Sequence, residues 1–136
     1  MKATSNLCRS IFRDQKGQNL VEFALVLPLL LLLVIGIAEF GRAWMTQNIL
    51  TGAAREAARL AAVAPPGGSV ALAEARGNSI LATAGIAATV KVNDPGVSYG
   101  TVTARVDFVF PVLIVGFIPG LNNITLSSET SMRREF

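Results

Sequence analysis

One stretch constrains this chain more than any other. Residues 20–38 read LVEFALVLPLLLLLVIGIA, nineteen residues in which Glu22 is the lone charge. As an α-helix the run is ~28 Å long, close to the ~30 Å hydrocarbon thickness of a bilayer. Leu29 to Leu33 are five consecutive leucines, so a helix here is apolar on every face. A chain of 136 residues is short for a core that could cover such a helix all round. The run therefore reads as a membrane anchor. A cleaved secretory signal is the competing reading. Against it, the run is long, no small-x-small site closes it, and helix-favouring sequence continues past Ala38.

Charge orients the anchor. Residues 1–17 carry Lys2, Arg9, Arg13 and Lys16 against Asp14, and the remaining eight basic and eight acidic side chains cancel. The whole net charge of +3, and with it the pI of about 9.6, comes from this first segment. By the positive-inside rule, residues 1–17 stay cytoplasmic and the chain beyond Ala38 is exported. The rest of the sequence offers only Arg133-Arg134 as a basic cluster, so nucleic acid is not an expected partner.

Composition narrows the chemistry. With no histidine and only Cys8, Ser–His–Asp triads, Cys–His dyads, His/Cys metal sites and a disulfide within one chain are all excluded. No Walker loop, G-x-S-x-G elbow or dinucleotide fingerprint occurs. The nine acidic residues have no spacing that converges two carboxylates, and Asp94 and Asp107 read as solvated groups beside a turn and within a strand. The expectation is a protein with no catalytic residues, no metal and no cofactor.

Glu22 stands out because a carboxylate deep in a bilayer costs about 2.5–3.5 kcal/mol on insertion scales. Placed one turn inside the cytoplasmic end, it can snorkel or take a proton. Five residues before it stands Gly17. The stretch Gly17-Gln18-Asn19-Leu20-Val21-Glu22-Phe23 resembles a type IV prepilin cleavage site: a basic leader ending in glycine, glutamate at the fifth position, then an apolar helix. The resemblance implies cleavage by a prepilin peptidase between Gly17 and Gln18. Glycine lets an extended backbone enter a protease cleft without a side-chain clash. The freed amine of Gln18 could then neutralise a neighbouring subunit's Glu22.

Gly17 to Val63 more specifically resembles the amino-terminal half of TadE-like proteins, minor pilins or pseudopilins of tight-adherence (Tad/Flp) pilus systems. The matching residues are Val21-Glu22-Phe23-Ala24, Pro28, Gly36, Glu39-Phe40-Gly41-Arg42 and Ala53 to Arg59. Major Flp pilins are much shorter, general-secretion pseudopilins usually place phenylalanine where this chain has Gln18, and TadG-like relatives carry a large extra domain. The resemblance implies a single-pass protein of the bacterial cytoplasmic membrane that assembles through Glu22, Phe23 and Pro28. Its partners would be the prepilin peptidase, other Tad pilins and minor pilins, the assembly platform and the lipid bilayer. The filament would serve adhesion, biofilm formation or secretion. An uncleaved, anchored accessory subunit that recruits partners through its exported domain is the alternative.

Three segments follow from these readings: a basic leader over 1–17, a long helix over 18–64 with its membrane span at about 20–38, and an exported α+β domain over 65–136. Between Gly41 and Pro65 only Gly52 interrupts good helix formers. The helix is expected to reach ~70 Å and to bend at Pro28. Ala53, Ala54, Ala57, Ala58, Ala61 and Ala62 make small ridges that would let a partner helix approach, or they reflect helix propensity alone. Glu56 and Arg59 can pair at i, i+3. Pro65-Pro66-Gly67-Gly68 ends the helix.

Ser69 fits an N-cap for a second helix over about 70–84, with Val70, Leu72, Ala73, Ile80 and Leu81 apolar and Gly77 as a weak point. The period then changes from helical to alternating. Strands are expected at 88–93, at 101–112 with Val102, Ala104, Val106, Phe108 and Phe110 on one face, and at 124–132 with Ile124, Leu126, Ser128, Thr130 and Met132 on one face. Pro111 should end pairing or mark an edge. The sum is an α+β fold: a transmembrane helix running into a small domain with a second helix and a three-stranded antiparallel sheet. The apolar run 113–121 either covers the sheet, dips into the outer leaflet or docks a partner pilin.

Overall fold

The computed structural model describes residues 15–65, 68, 70–113 and 123–134, with side chains from Gly17 onward. Most of the basic leader with Cys8, the proposed cap Ser69, and nearly all of the apolar run 113–121 lie outside the described residues. The chain falls into two compact units that divide between Ala38 and Glu39.

The first helix, α1, runs unbroken from Gln15 to Val63. It starts three residues before Gln18, so Gly17 and Gln18 are helical rather than extended. One glycine costs a helix interior only ~1 kcal/mol, and Gly17 lies in the first turn, ahead of a long continuous helix. The helix continues through Pro28, the one proline inside it. From Gly17 to Ala38 every residue is exposed except the half-buried Gly36.

The second unit, residues 39–136, holds the rest of α1, a helix α2 (Val70–Thr83) and strands β1 (Thr89–Asn93), β2 (Thr101–Phe110) and β3 (Ile124–Arg133). The sheet is an antiparallel meander in the order β1-β2-β3. Val90 pairs with Val106, and Val106 with Ser128. The expected alternation appears along β2, where Val102, Ala104, Val106 and Phe110 are buried and Phe108 is half-buried. The strand stops at Phe110, one residue before Pro111, whose ring nitrogen has no proton to donate to a ladder.

The alanine ridges of α1 pack inside this unit. Ala53, Ala54, Ala57 and Ala58 join Leu50, Leu81, Val90, Ala104 and Val106 in one core cluster, and Ala61 joins Ala73 and Val102 in a second. Small side chains here let sheet and α2 come close to the α1 backbone. On α2 the buried line is Ala73, Gly77 and Leu81, spaced by four. Leu72, grouped with the apolar face in the sequence, is exposed because it sits about 100° round the helix from that line.

Gly77 is a requirement of packing more than a weak point. A Cβ there would lie 2.8 Å from Val90 Cγ2 and 3.3 Å from the Ala53 carbonyl oxygen. The same helix closes one edge of the sheet: Val90 N–H donates to Asn78 Oδ1 at 2.8 Å and Val92 N–H to Glu74 Oε1 at 3.0 Å. Two acceptors one helical turn apart thus match two donors two strand residues apart. Edge-strand N–H groups left open would template pairing with another chain.

Candidate functional site

The residues named from the sequence lie on α1. Gly17 and Gln18 occupy its first turn, and a Cβ built on Gly17 would meet nothing within 4 Å. Packing within the described residues therefore does not demand glycine there. Glu22, Phe23 and Pro28 follow on the same helix, all exposed. Among the described residues Glu22 has no ion-pair or hydrogen-bond partner. The surrounding stretch reaches a mean hydropathy of 2.8 over 18 residues with none of that window buried. An apolar helix with no cover among the described residues, carrying one carboxylate without a partner among them, suits surroundings outside the chain.

Where this stretch gives way to the second unit, the sequence reading missed a polar junction. Glu39, buried, accepts from Arg42 Nη1 at 2.5 Å and from the Leu113 N–H at 3.2 Å. The Arg42 guanidinium in turn lies 5.3 Å from the centre of the Phe110 ring. One carboxylate thereby fastens the chain just beyond β2 to α1. Its partner at Leu113 is 74 residues away, so no local spacing in the sequence could announce it. Two further ties join α1 to β3: Gln47 Nε2 donates to the Ser127 carbonyl at 2.9 Å, and the Ser128 hydroxyl donates to Thr51 Oγ1 at 3.1 Å.

At the other end of the sheet, Asp94 departs from the solvated role expected of it. Its carboxylate is buried and paired with Arg134 Nη2 at 2.6 Å, both side chains having almost no exposure. Arg134 also donates to the Ala61 carbonyl at 3.2 Å and the Val97 carbonyl at 3.4 Å. Asp94 additionally accepts from the Gly96 N–H at 2.9 Å, closing the turn after β1. The pair is buried because its hydrogen bonds satisfy carbonyls that the turn and the end of α1 leave open. It also removes Arg134 from the surface, leaving Arg133 as the exposed half of the basic pair.

The remaining charges are peripheral. Glu56 and Arg59 pair at i, i+3, as their spacing anticipates, and Arg76 of α2 adds a contact to Glu56 at 3.8 Å. The hydrogen bond from Arg59 holds the Glu56 carboxyl below the ordinary glutamate range, against a smaller upward push from desolvation and with help from the charges of Arg59 and Arg76. Asp107 is exposed as expected and hydrogen-bonds Arg105, which raises the arginine further above its ordinary range.

Together these features define a class: among the described residues, one helix long and apolar enough to cross a membrane, suggesting a single-pass anchor, that runs into a small α+β unit. Residues 17–59 match the model of the family described as TadE-like protein, and over that stretch the chain is consistent with a TadE-like pilin of the Tad system. The match begins at Gly17 and ends inside α1, so α2 and the sheet lie beyond it. No curated protein and no solved structure matches the chain. The match covers about a third of the chain, and over that stretch it suggests a protein associated with the Tad pilus.

Proposed function

We propose that this chain is a minor pilin or pseudopilin, cut by a prepilin peptidase between Gly17 and Gln18 and used in assembling a Tad/Flp-type pilus. The observation that carries the reading is that the family match opens on Gly17, at the start of an apolar helix that no described residue covers. Residues 20–38 hold the subunit in the cytoplasmic membrane, with the basic segment inside and the α+β unit exported. Glu22 then serves assembly. Unpaired, it is costly in lipid; opposite the new amine of a neighbour's Gln18 it becomes an ion pair. Phe23 and Pro28 lie on the exposed surface available to neighbouring helices. Pro28 leaves the Ala24 carbonyl without its usual donor, a defect that a helix bundle tolerates. The filament so built serves adhesion, biofilm formation or secretion.

The intact mass of the full chain, extracted from membranes made with and without the cognate peptidase, tests this. The expected result is loss of Met1–Gly17 only where the peptidase is active, and a full-length chain for Gly17→Leu in both. Persistence of the complete wild-type chain beside an active peptidase would replace this reading with an uncleaved, anchored accessory subunit.

A further inference from the structure

Phe40 and Trp44 lie just past the apolar span, one helical turn apart, with ring centroids 6.1 Å from each other. They are 68% and 63% exposed, although they belong to the folded unit and not to the span. Leu113, whose N–H is bonded to Glu39, is 69% exposed, and Ile124, paired with Phe110, is also open to solvent. All four sit at the end of the unit that Glu39 and Arg42 organise.

We propose that this apolar rim is a seat in the outer lipid headgroup layer, holding the α+β unit down on the membrane that its helix crosses. The proposal rests on the membrane-anchor reading of residues 20–38. Depth is the first argument. Phe40 lies ~3 Å along the helix beyond Ala38, inside a headgroup layer ~5–8 Å thick. Trp44 starts ~9 Å beyond Ala38, but its side chain leans back toward that layer, as helical side chains tilt toward the N-terminus. Chemistry is the second. Tryptophan has an apolar body with one N–H donor, which suits a layer that is apolar below and wet above. Arg42, partly exposed and tethered to Glu39, adds a cation at the level where lipid phosphates lie.

Direction separates a lipid layer from a protein partner. Phe40 and Trp44 are turned about 100° and 140° round the helix from Glu39, the side that carries Leu113. A docked protein covers one side of a surface. A headgroup layer covers everything at one level, whichever way it faces, and this rim shares a level across two sides.

Trp44 is the chain's single tryptophan and so reports on its own surroundings. The full chain is reconstituted in phosphatidylcholine vesicles brominated either near the headgroup or deep in the acyl chains. The expected result is blue-shifted Trp44 emission, quenched more by the shallow bromines than by the deep ones and protected from aqueous acrylamide. The double variant Phe40→Ser/Leu113→Ser keeps the probe and should lose the shallow quenching. Suppose the chain resists alkaline carbonate extraction while Trp44 ignores brominated lipid and is open to acrylamide. The anchor then stands and the seat is wrong. A blue shift that grows with protein density without lipid quenching would also overturn the seat, in favour of a second copy of the chain. Extraction by carbonate would overturn the anchor and the seat together.

Discussion

Leu30 and Leu50 stand twenty residues apart on one unbroken helix, yet Leu30 keeps 53% of its surface exposed and Leu50 keeps none. Around Leu30 the helix is bulky and apolar on all sides. Around Leu50 it carries pairs of alanines on one side and Arg55, Glu56 and Arg59 on the other. Helix propensity does not separate the two regions, since leucine and alanine are both strong helix formers. Side-chain size and its distribution do. A uniform coat of leucine gives no preferred face and suits a solvent that surrounds it. A narrow line of alanine brings one face within reach of a sheet and a second helix, and hands the other face to water.

The difference can be broken most severely where the second region depends on a buried charge. Arg134→Leu leaves Asp94 buried without its cation, and should cost about 3–5 kcal/mol of stability in the α+β unit. Faster hydrogen exchange across β2 and β3 in the full chain in detergent would register it, while residues 20–38 keep their protection.

The sharpest form of the comparison is one substitution made twice. Leu50→Ala opens a cavity in the core cluster and should cost about 2–5 kcal/mol. Leu30→Ala removes the same atoms from a side chain that is exposed among the described residues. It should leave the unfolding midpoint of the α+β unit within about 0.5 kcal/mol of wild type. Equal losses would mean that the two regions are not independent.

Gly77→Ala comes next, at about 1–3 kcal/mol, because Val90 and the Ala53 carbonyl must move to admit one methyl group. Combining it with Val90→Ala should recover part of the loss, which identifies the clash and not helix propensity as its source.

The smallest effect is one of pH. Glu56 has a lower pKa folded than unfolded, so its contribution is complete above the ordinary value of about 4.3 and disappears as pH falls through the lower folded value. Wild type and Glu56→Gln should differ slightly at neutral pH and converge in acid. The pair is exposed, so added salt should narrow the gap too. A difference that widens on acidification would contradict the assignment.

The elements that were legible from sequence are those whose cause is local. Five leucines in a row, the alternation from Val102 to Phe110, and a proline that cannot donate to a ladder each act within a few residues. What escaped is what acts at long range. Glu74 and Asn78 look like an ordinary polar face of α2 until β1 is brought beside them. Asp94 looks like a turn residue until Arg134, forty positions on, is folded against it. The alanine ridges were visible, but their partner was not, because size complementarity says how closely something approaches and not what it is. At the candidate site, the proposed roles of Gly17, Gln18 and Glu22 rest on resemblance to a short local motif, whereas the Glu39–Leu113 tie has no sequence signature.

The buried Asp94–Arg134 pair has a consequence for how the sheet finds its alignment. The inward positions of β3 are Leu126, Ser128, Thr130 and Met132, and of these Ser128 is buried and the others half-buried. Such a mixed set discriminates poorly between neighbouring alignments, because a slip of two residues returns every side chain to the same face. That slip would carry Arg134 ~7 Å along the strand direction, away from the carboxylate at the end of β1. The near-miss sheet would then lose the buried Asp94–Arg134 contact. The ion pair thus works as an error check on strand alignment, accepting one pairing of β2 with β3 and rejecting those that apolar contact alone would let through.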